Sequence, residues 1–596
     1  MRPGHEHHSR RAMRLLAAAL LLACASRTHA QAPSCAWGDG VLIPGTENRG
    51  LSLASDGGAG LLVVSCPVDG LDAPSYKVGT LRLHHVLEQG RLDPSLPEKG
   101  VTFYTPPQPD AYPASGLARV LADGSGGVYV LMRACNPNLA HLRCYEISTL
   151  RLLHVNGSGT TSPGWPDSGV VIPSRGVPYA LDSGDIVSDG AGGVIAAWIW
   201  SAPDSYTTTS VRAQRYSAAG VALWPGGEAG LELLGSAPER NNIRVAGDGA
   251  GGATVVVSAL TATGRYDVFA VRALADGSLP WGSSGKVVLS QPGVSSELRD
   301  VAMGADGLLF VAALQVPLAG GASQIVTQRL TQAGNRAWGL YGVLIGGAAW
   351  QSSVDAVLAD GGYVTTHRDG ALATRLQLQD VFGTPSWGPL PEPDGLLADW
   401  SNGAPLSTLA MPDGNVVCLW ADPAALYMGP PTVVHAIELD PAGEIAPGWP
   451  PATGVEVCGG LYGLTFSDAL TTTGQIFVAF GNDYFPGPTP RVQRLARAVL
   501  AVPPSRPTQA LELSPPAPNP SRGAWSVRFA LRESSPVSLG IYDIAGRRVL
   551  SQDLGSFAPG LHTAPAEGSA SLPPGMYRVR ISAGTHAAER TLIRIR

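Results

Sequence analysis

The chain repeats itself. Between Trp37 and Phe480 a segment of similar length recurs eight times, and seven copies carry an Asp-Gly step followed by a short apolar run. The clearest copies read SDGAGGVIAAW from Ser188, GDGAGGATVVV from Gly247 and MPDGNVVCLW from Met411. Aligned on the step, the units fall at Asp56, Asp123, Asp189, Asp248, Asp306, Asp360 and Asp413, with Thr473-Gly474 as a degenerate eighth, at spacings from 53 to 67 residues. Such a unit cannot bury its apolar face alone and must stack on its copies, so the sequence specifies an array.

The apolar runs, such as Leu61 to Val64, Val194 to Trp200 and Val416 to Trp420, are nearly continuous, which predicts strands covered on both faces. A second strand with Arg among apolar residues follows, as at Val211 to Tyr216, Val268 to Leu274, Ile325 to Leu330 and Leu372 to Leu376. A Gly-containing turn then leads to a Trp at 165, 224, 281, 338, 387 or 449. Each unit holds about four strands, and units of this kind repeated around an axis describe a β-propeller. Trp37 has no Arg-strand before it, while Arg491 to Leu495 is an Arg-strand with no Trp segment after it. The two ends therefore complete one unit, giving eight blades, with seven as the alternative.

The recurring residues read as structural. Gly supplies positive φ at the turn and Asp caps it, and one carboxylate per copy is too few for a calcium cage. Arg215, Arg272, Arg329 and Arg375 read as bridges between neighbouring units, and the Trp series as packing. With 15% charged and 44% hydrophobic residues, 74 Gly and 50 Pro, the composition is that of many short strands joined by turns. A net charge of −6 without a basic block gives no electrostatic footing for nucleic acid.

Arg10, Arg11 and Arg14, the apolar run from Leu15 to Ala25 and Thr28-His29-Ala30 have the three zones of a secretory signal ending near Ala30. Two variants compete: a twin-arginine signal at Arg10-Arg11, and a lipoprotein box that would leave Cys24 lipidated. No later run is long and apolar enough to span a bilayer as a helix. Export leaves Cys35, Cys66, Cys135, Cys144, Cys418 and Cys458 in an oxidising setting, and pairing by proximity in sequence expects Cys35–Cys66, Cys135–Cys144 and Cys418–Cys458, with buried thiols as the alternative.

Function is expected in the variable loops after each Asp-Gly strand. Asp204 and Tyr206, Tyr266 and Asp267, Asp422 and Tyr427, and Asp483, Tyr484 and Phe485 place aromatic rings beside carboxylates on one rim, suited to stacking on sugar rings or meeting a protein partner. Metalloprotease, nucleophile-elbow, phosphate-loop and dinucleotide motifs are absent from the sequence, and no cofactor is called for. The reading is a non-catalytic binding or scaffold module, and the alternative is a carbohydrate-active enzyme using rim carboxylates such as Asp204 and Asp483.

After a Pro-rich linker at 501–510 the composition changes, and residues 511–596 read as a small β-sandwich. Asn519-Pro520, the run Ile541-Tyr542-Asp543 with Gly546-Arg547, Gly575 and Tyr577 of a Gly-x-Tyr step, and a basic apolar last strand occur in order. In these residues the tail resembles the C-terminal sorting domain of the type IX secretion pathway, and is similar to the Ig-like domain of flagellar hook-capping proteins. The resemblance implies passage across the outer membrane by the secretion machinery, with residues 1–30 as signal and 31–500 as the exported propeller.

Overall fold

In a computed structural model the chain forms two compact units, meeting in sequence between Ala498 and Val499. The structure describes residues 33–497 and 511–595 apart from connecting segments, the longest being 70–76, 106–116, 136–147, 174–183, 381–403, 422–431, 483–489 and 514–520. The signal expected at 1–30, Cys24 and the linker expected at 501–510 lie outside the described residues. No helix among them is long and apolar enough to cross a membrane.

The first unit is all antiparallel sheet. Sheets one to seven begin with strands Asn48–Ser55, Leu117–Ala122, Gly184–Ser188, Arg240–Gly247, Val294–Met303, Val354–Ala359 and Ala404–Ala410. Each is a meander in chain order, so a first strand is followed by its neighbours outward. The eighth sheet is different. It takes Leu464–Thr472, Gln475–Asn482 and Arg491–Ala496 from the far end, then adds Ser34–Cys35 and Val41–Leu42 from the near end. Cys35 pairs with Leu495 and Val41 with Val492, so the two halves anticipated from Trp37 and Arg491 do join. The first strand of every sheet lies against that of the next, and Leu464–Thr472 lies against Asn48–Ser55, which closes an inner ring.

Burial on both faces explains the continuous apolar runs. In Val194–Ser201, Val194, Ala196 and Trp198 pack with Tyr129 and Leu131 of sheet two. Ile195, Ala197 and Ile199 point the other way and pack with Ile243, Val255 and Val271 of sheet four. A strand covered by sheets on either side has no polar face to show.

The second unit has two antiparallel sheets. Leu511–Leu513, Ser526–Leu531 and Gly560–Pro565 form one; Arg548–Phe557, Ser535–Asp543, Gly575–Ala583 and His586–Arg594 form the other. Trp525, Val527 and Phe529 of the first pack with Val537, Leu539, Ile541, Val579 and Ile581 of the second.

The proximity pairing of cysteines is corrected. Cys35 is a thiol whose Sγ donates to the Val457 carbonyl at 3.1 Å, and Cys418 is a buried thiol. Cys35 sits in the closing sheet beside sheet seven while Cys66 is on the second strand of sheet one, and Cys418 is set opposite Ile437 while Cys458 is set opposite Val434. Cys35–Cys66 does not form, and the Cys458 side chain lies outside what the structure describes. Cys144 lies outside the described residues.

Candidate functional site

The Asp-Gly turn is a two-sided clamp. In Asp189, Oδ1 accepts the backbone N–H groups of Ala191 at 2.8 Å and Gly193 at 2.7 Å, while Oδ2 accepts Arg215 Nε at 3.0 Å. Asp248 repeats this with Ala250, Gly252 and Arg272. In sheets one and two the partner is a histidine. His85 Nε2 lies 3.1 Å from Asp56 Oδ2, and His154 Nε2 lies 3.0 Å from Asp123 Oδ2. Burial opposes ionisation of Asp123, but the bonds from His154, Ser125 and Gly127 outweigh it and hold the carboxyl below its ordinary value.

Strand register identifies the series: His85, His154, Arg215, Arg272, Arg329, Gln379, Glu438 and Arg494 occupy one position on the third strands, opposite Leu62, Tyr129, Ile195, Thr254, Phe310, Tyr363, Val417 and Phe477. Arg375 is outside this series, because it pairs with His367 near the start of its strand. At Glu438 the charge is inverted, and Arg497 repairs it by donating to both Glu438 and Asp413.

The tryptophans bridge sheets. Trp37, Trp165, Trp224 and Trp281 donate their indole N–H to the carbonyls of Glu88, Ala218, Ala275 and Gln332, each in the following sheet. Packing was the expectation for these rings, and each adds a hydrogen bond to it.

The inner ring holds a belt that the sequence reading missed. At one register position of the first strands stand Ser52, Arg119, Asp185, Arg244, Asp300, Ala356, Ser407 and Asp468. Arg119 Nε donates to Asp185 Oδ1 at 3.0 Å across two sheets. Asp185 Oδ2 accepts Val245 N–H at 3.0 Å, and Asp468 Oδ2 accepts Leu53 N–H at 2.8 Å, both from the next sheet. The outer edge of an innermost strand has no ladder partner, so these carboxylates satisfy backbone donors that would otherwise be orphaned. Burial pushes the Asp468 carboxyl up to about 6, against the pull of those N–H bonds. In five units the belt residue stands four positions before the turn Asp, as Arg119 before Asp123 and Asp185 before Asp189, which is the signal that would have found it.

Of the rim residues, Tyr266 and Asp267 are described. Tyr266 donates its hydroxyl to Glu239 Oε1 at 3.0 Å, and burial, then that carboxylate, push the phenol up to about 12. Asp267 is buried, accepting Arg265 Nε at 3.0 Å and Ser290 Oγ at 2.7 Å. Asp204, Tyr206, Asp422, Tyr427, Asp483, Tyr484 and Phe485 lie outside the described residues. No group of three or more His, Cys, Asp or Glu side chains able to hold a metal occurs among the described residues.

In the second unit, Asp543 accepts Arg547 N–H at 3.0 Å and Arg547 Nε at 3.1 Å around a turn whose Gly546 has φ 79°. The Tyr542 ring lies over Gly540, where an added Cβ would meet it at 2.9 Å. Tyr577 donates to Pro573 O at 2.8 Å from the strand that Gly575 opens. Asn519 and Pro520 lie outside the described residues, but Ser521 beside them is fully buried and bridges Arg594 in parallel, its Oγ accepting Arg594 Nη1 at 3.1 Å. The motif residues thus sit at the turns and edge of one sheet, and a family model matches them as a whole. Residues 517–595 are a secretion system C-terminal sorting domain. The sorting domain directs the protein through type IX secretion to the cell exterior or the outer-membrane surface.

No curated protein sequence is similar to this chain. Among solved structures it is similar to prolyl oligopeptidase B from Galerina marginata, with 10% identity, TM-score 0.34, 71% of this chain and 57% of that one. It is also similar to a protein of unknown function from Dyadobacter fermentans, with 12% identity, TM-score 0.31, 67% of this chain and 96% of that one. An α-L-arabinanase from Penicillium chrysogenum matches with 13% identity, TM-score 0.28, 58% of this chain and 98% of that one. Scores this low transfer no activity to the sorting domain's passenger.

Proposed function

We propose that the exported part, residues 31–500, is an eight-bladed β-propeller serving as a non-catalytic binding or scaffold module for an extracellular glycan or protein. A linker at 501–510 then joins it to an Ig-like sorting domain at 511–596. Eight sheets whose first strands close one ring support the blade count, and the Tyr577 hydroxyl bonded back to Pro573 resembles the corner of Ig-like sandwiches. The observation that carries the reading is a division of labour. Turn Asp and Trp repeat in both place and chemistry, a basic residue fills the third-strand position in six of the eight sheets, and these side chains are engaged in bonds within and between sheets. The inner belt repeats in place alone, and its side chains change from Ser to Arg to Asp around the ring. A position kept constant while its chemistry varies is suited to recognition, with Tyr206, Tyr427 and Tyr484 of the rim as the stacking residues.

The test is a glycan and polysaccharide binding screen of the mature chain, residues 31–596, with reducing-sugar release measured on the same panel. Binding without release, lost in the Arg119→Ala, Arg244→Ala double variant, is the expected result. Release of sugar by the wild type would replace the reading with a carbohydrate-active enzyme.

A further inference from the structure

A groove lies away from both the belt and the rim. It is a cavity of about 430 Å³ lined by Lys286, Val287, Gly334, Asn335, Arg336, Gly339 and Leu340, between the outermost strand of sheet four and the turn that follows the third strand of sheet five. Gly334 has φ 79°, and an added Cβ there would lie 2.7 Å from Lys286 Cγ and 2.9 Å from the Trp281 ring. The Lys286 stem is thereby laid along the turn, with its ammonium at the groove. Arg336 Nη1 is pinned to the Leu340 carbonyl at 2.9 Å, which fixes the guanidinium on the other wall. Among the described residues neither cation has a carboxylate partner. Val287 and Leu340 are exposed at 38% and 54%, so an apolar floor runs between two positive charges.

We propose that this groove binds an acidic saccharide, a uronate-bearing polysaccharide segment. Its carboxylates are taken by Lys286 and Arg336, and the C–H face of its rings rests on Val287 and Leu340. Charge complementarity favours an anion, since these cations stand unpaired on a chain of net charge −6 with Lys only at 77, 99 and 286. A saccharide is favoured over an acidic peptide because the edge on offer is poor for strand addition. Lys286–Leu289 is four residues long and its pairing slips between Val268 and Phe269, so an incoming peptide strand finds no straight ladder to extend. The site is independent of the axial belt, and a polymer held outside would reach a surface that every copy of the exported protein presents.

The experiment is calorimetric titration of oligogalacturonate into the mature chain, with neutral xylo-oligosaccharide and polyglutamate as comparisons. Binding of the uronate alone is expected, weakening about tenfold or more in Lys286→Ala, Arg336→Ala. The charge-preserving Lys286→Arg, Arg336→Lys variant should retain it. Thermal melts of the variants should match the wild type, both cations being only partly buried. No heat with the uronate, undiminished affinity in the double alanine variant, or tighter binding of polyglutamate would each overturn the proposal.

Discussion

Trp224 donates its indole N–H to the carbonyl oxygen of Ala275 at 3.2 Å, 51 residues further along the chain, and Arg215 Nη1 reaches the same oxygen at 3.3 Å. One carbonyl in sheet four therefore receives both the packing ring and the turn cation of sheet three. Trp224→Phe keeps the ring and loses the bond, and should lower unfolding free energy by about 1 kcal/mol in urea titration. Trp224→Ala also removes the buried ring and should cost about 3–5 kcal/mol. An unchanged unfolding free energy in Trp224→Phe would show that the hydrogen bond contributes nothing.

Arg497 neutralises two carboxylates that the inverted position of sheet seven brings together. Arg497→Ala leaves Glu438, only 2% exposed, beside Asp413 with no cation, and should destabilise by about 3 kcal/mol. Adding Glu438→Gln should recover most of that loss, since it removes the stranded charge. A double variant no more stable than the single one would show that Arg497 acts through packing.

Two aspartates should give the stability profile opposite slopes. The Asp468 carboxyl is raised in the folded state to about 6 from 3.8, so its contribution is complete below the lower value and is lost as pH rises through 6. The span is on the order of 3 kcal/mol, and Asp468→Asn should flatten the curve between pH 4 and 6, a window set by those values. Asp123 is held below its ordinary value, so its contribution is present above that value and is lost as pH falls through the folded one. Stability measured across acid pH in Asp123→Asn should show a shallower acid limb. An Asp468→Asn curve parallel to the wild type would contradict the assignment.

Cysteine alkylation without reductant should report the thiol state. Burial, then Glu456, raise the Cys35 thiol, so it should react slowly with iodoacetamide at neutral pH and faster as pH rises. Cys418 should react only after unfolding, being fully buried. Mass spectrometry finding either residue protected even in denaturant would restore a disulfide.

Much of the exported unit was legible because repetition is redundant: one degenerate turn at Thr473-Gly474 does not hide seven others. The seam between Trp37 and Arg491 was legible for the same reason, as a missing half at each end. The belt was not, because a single Arg119 or Asp185 in a short apolar strand carries no period of its own and emerges only from register. Anchoring on residue identity also misplaced Arg375, where register puts Gln379. The Cys35–Cys66 pairing failed because nearness in sequence is a poor guide in a ring, where Cys35 finds Val457. The loop residues were chosen by composition, and of these Asp267 is turned inward to Arg265 and Ser290.

The closing seam also orders events along the chain. Ser34–Cys35 and Val41–Leu42 wait for Arg491–Ala496, so synthesis must run nearly the whole length of the first unit before the seam can be fastened. The address read by the export apparatus, residues 517–595, comes after that seam. A polypeptide cut short anywhere before the seam loses its clasp and its address together. The order of segments thus acts as a proofreading step, because any chain long enough to be addressed already holds the strand that completes its ring.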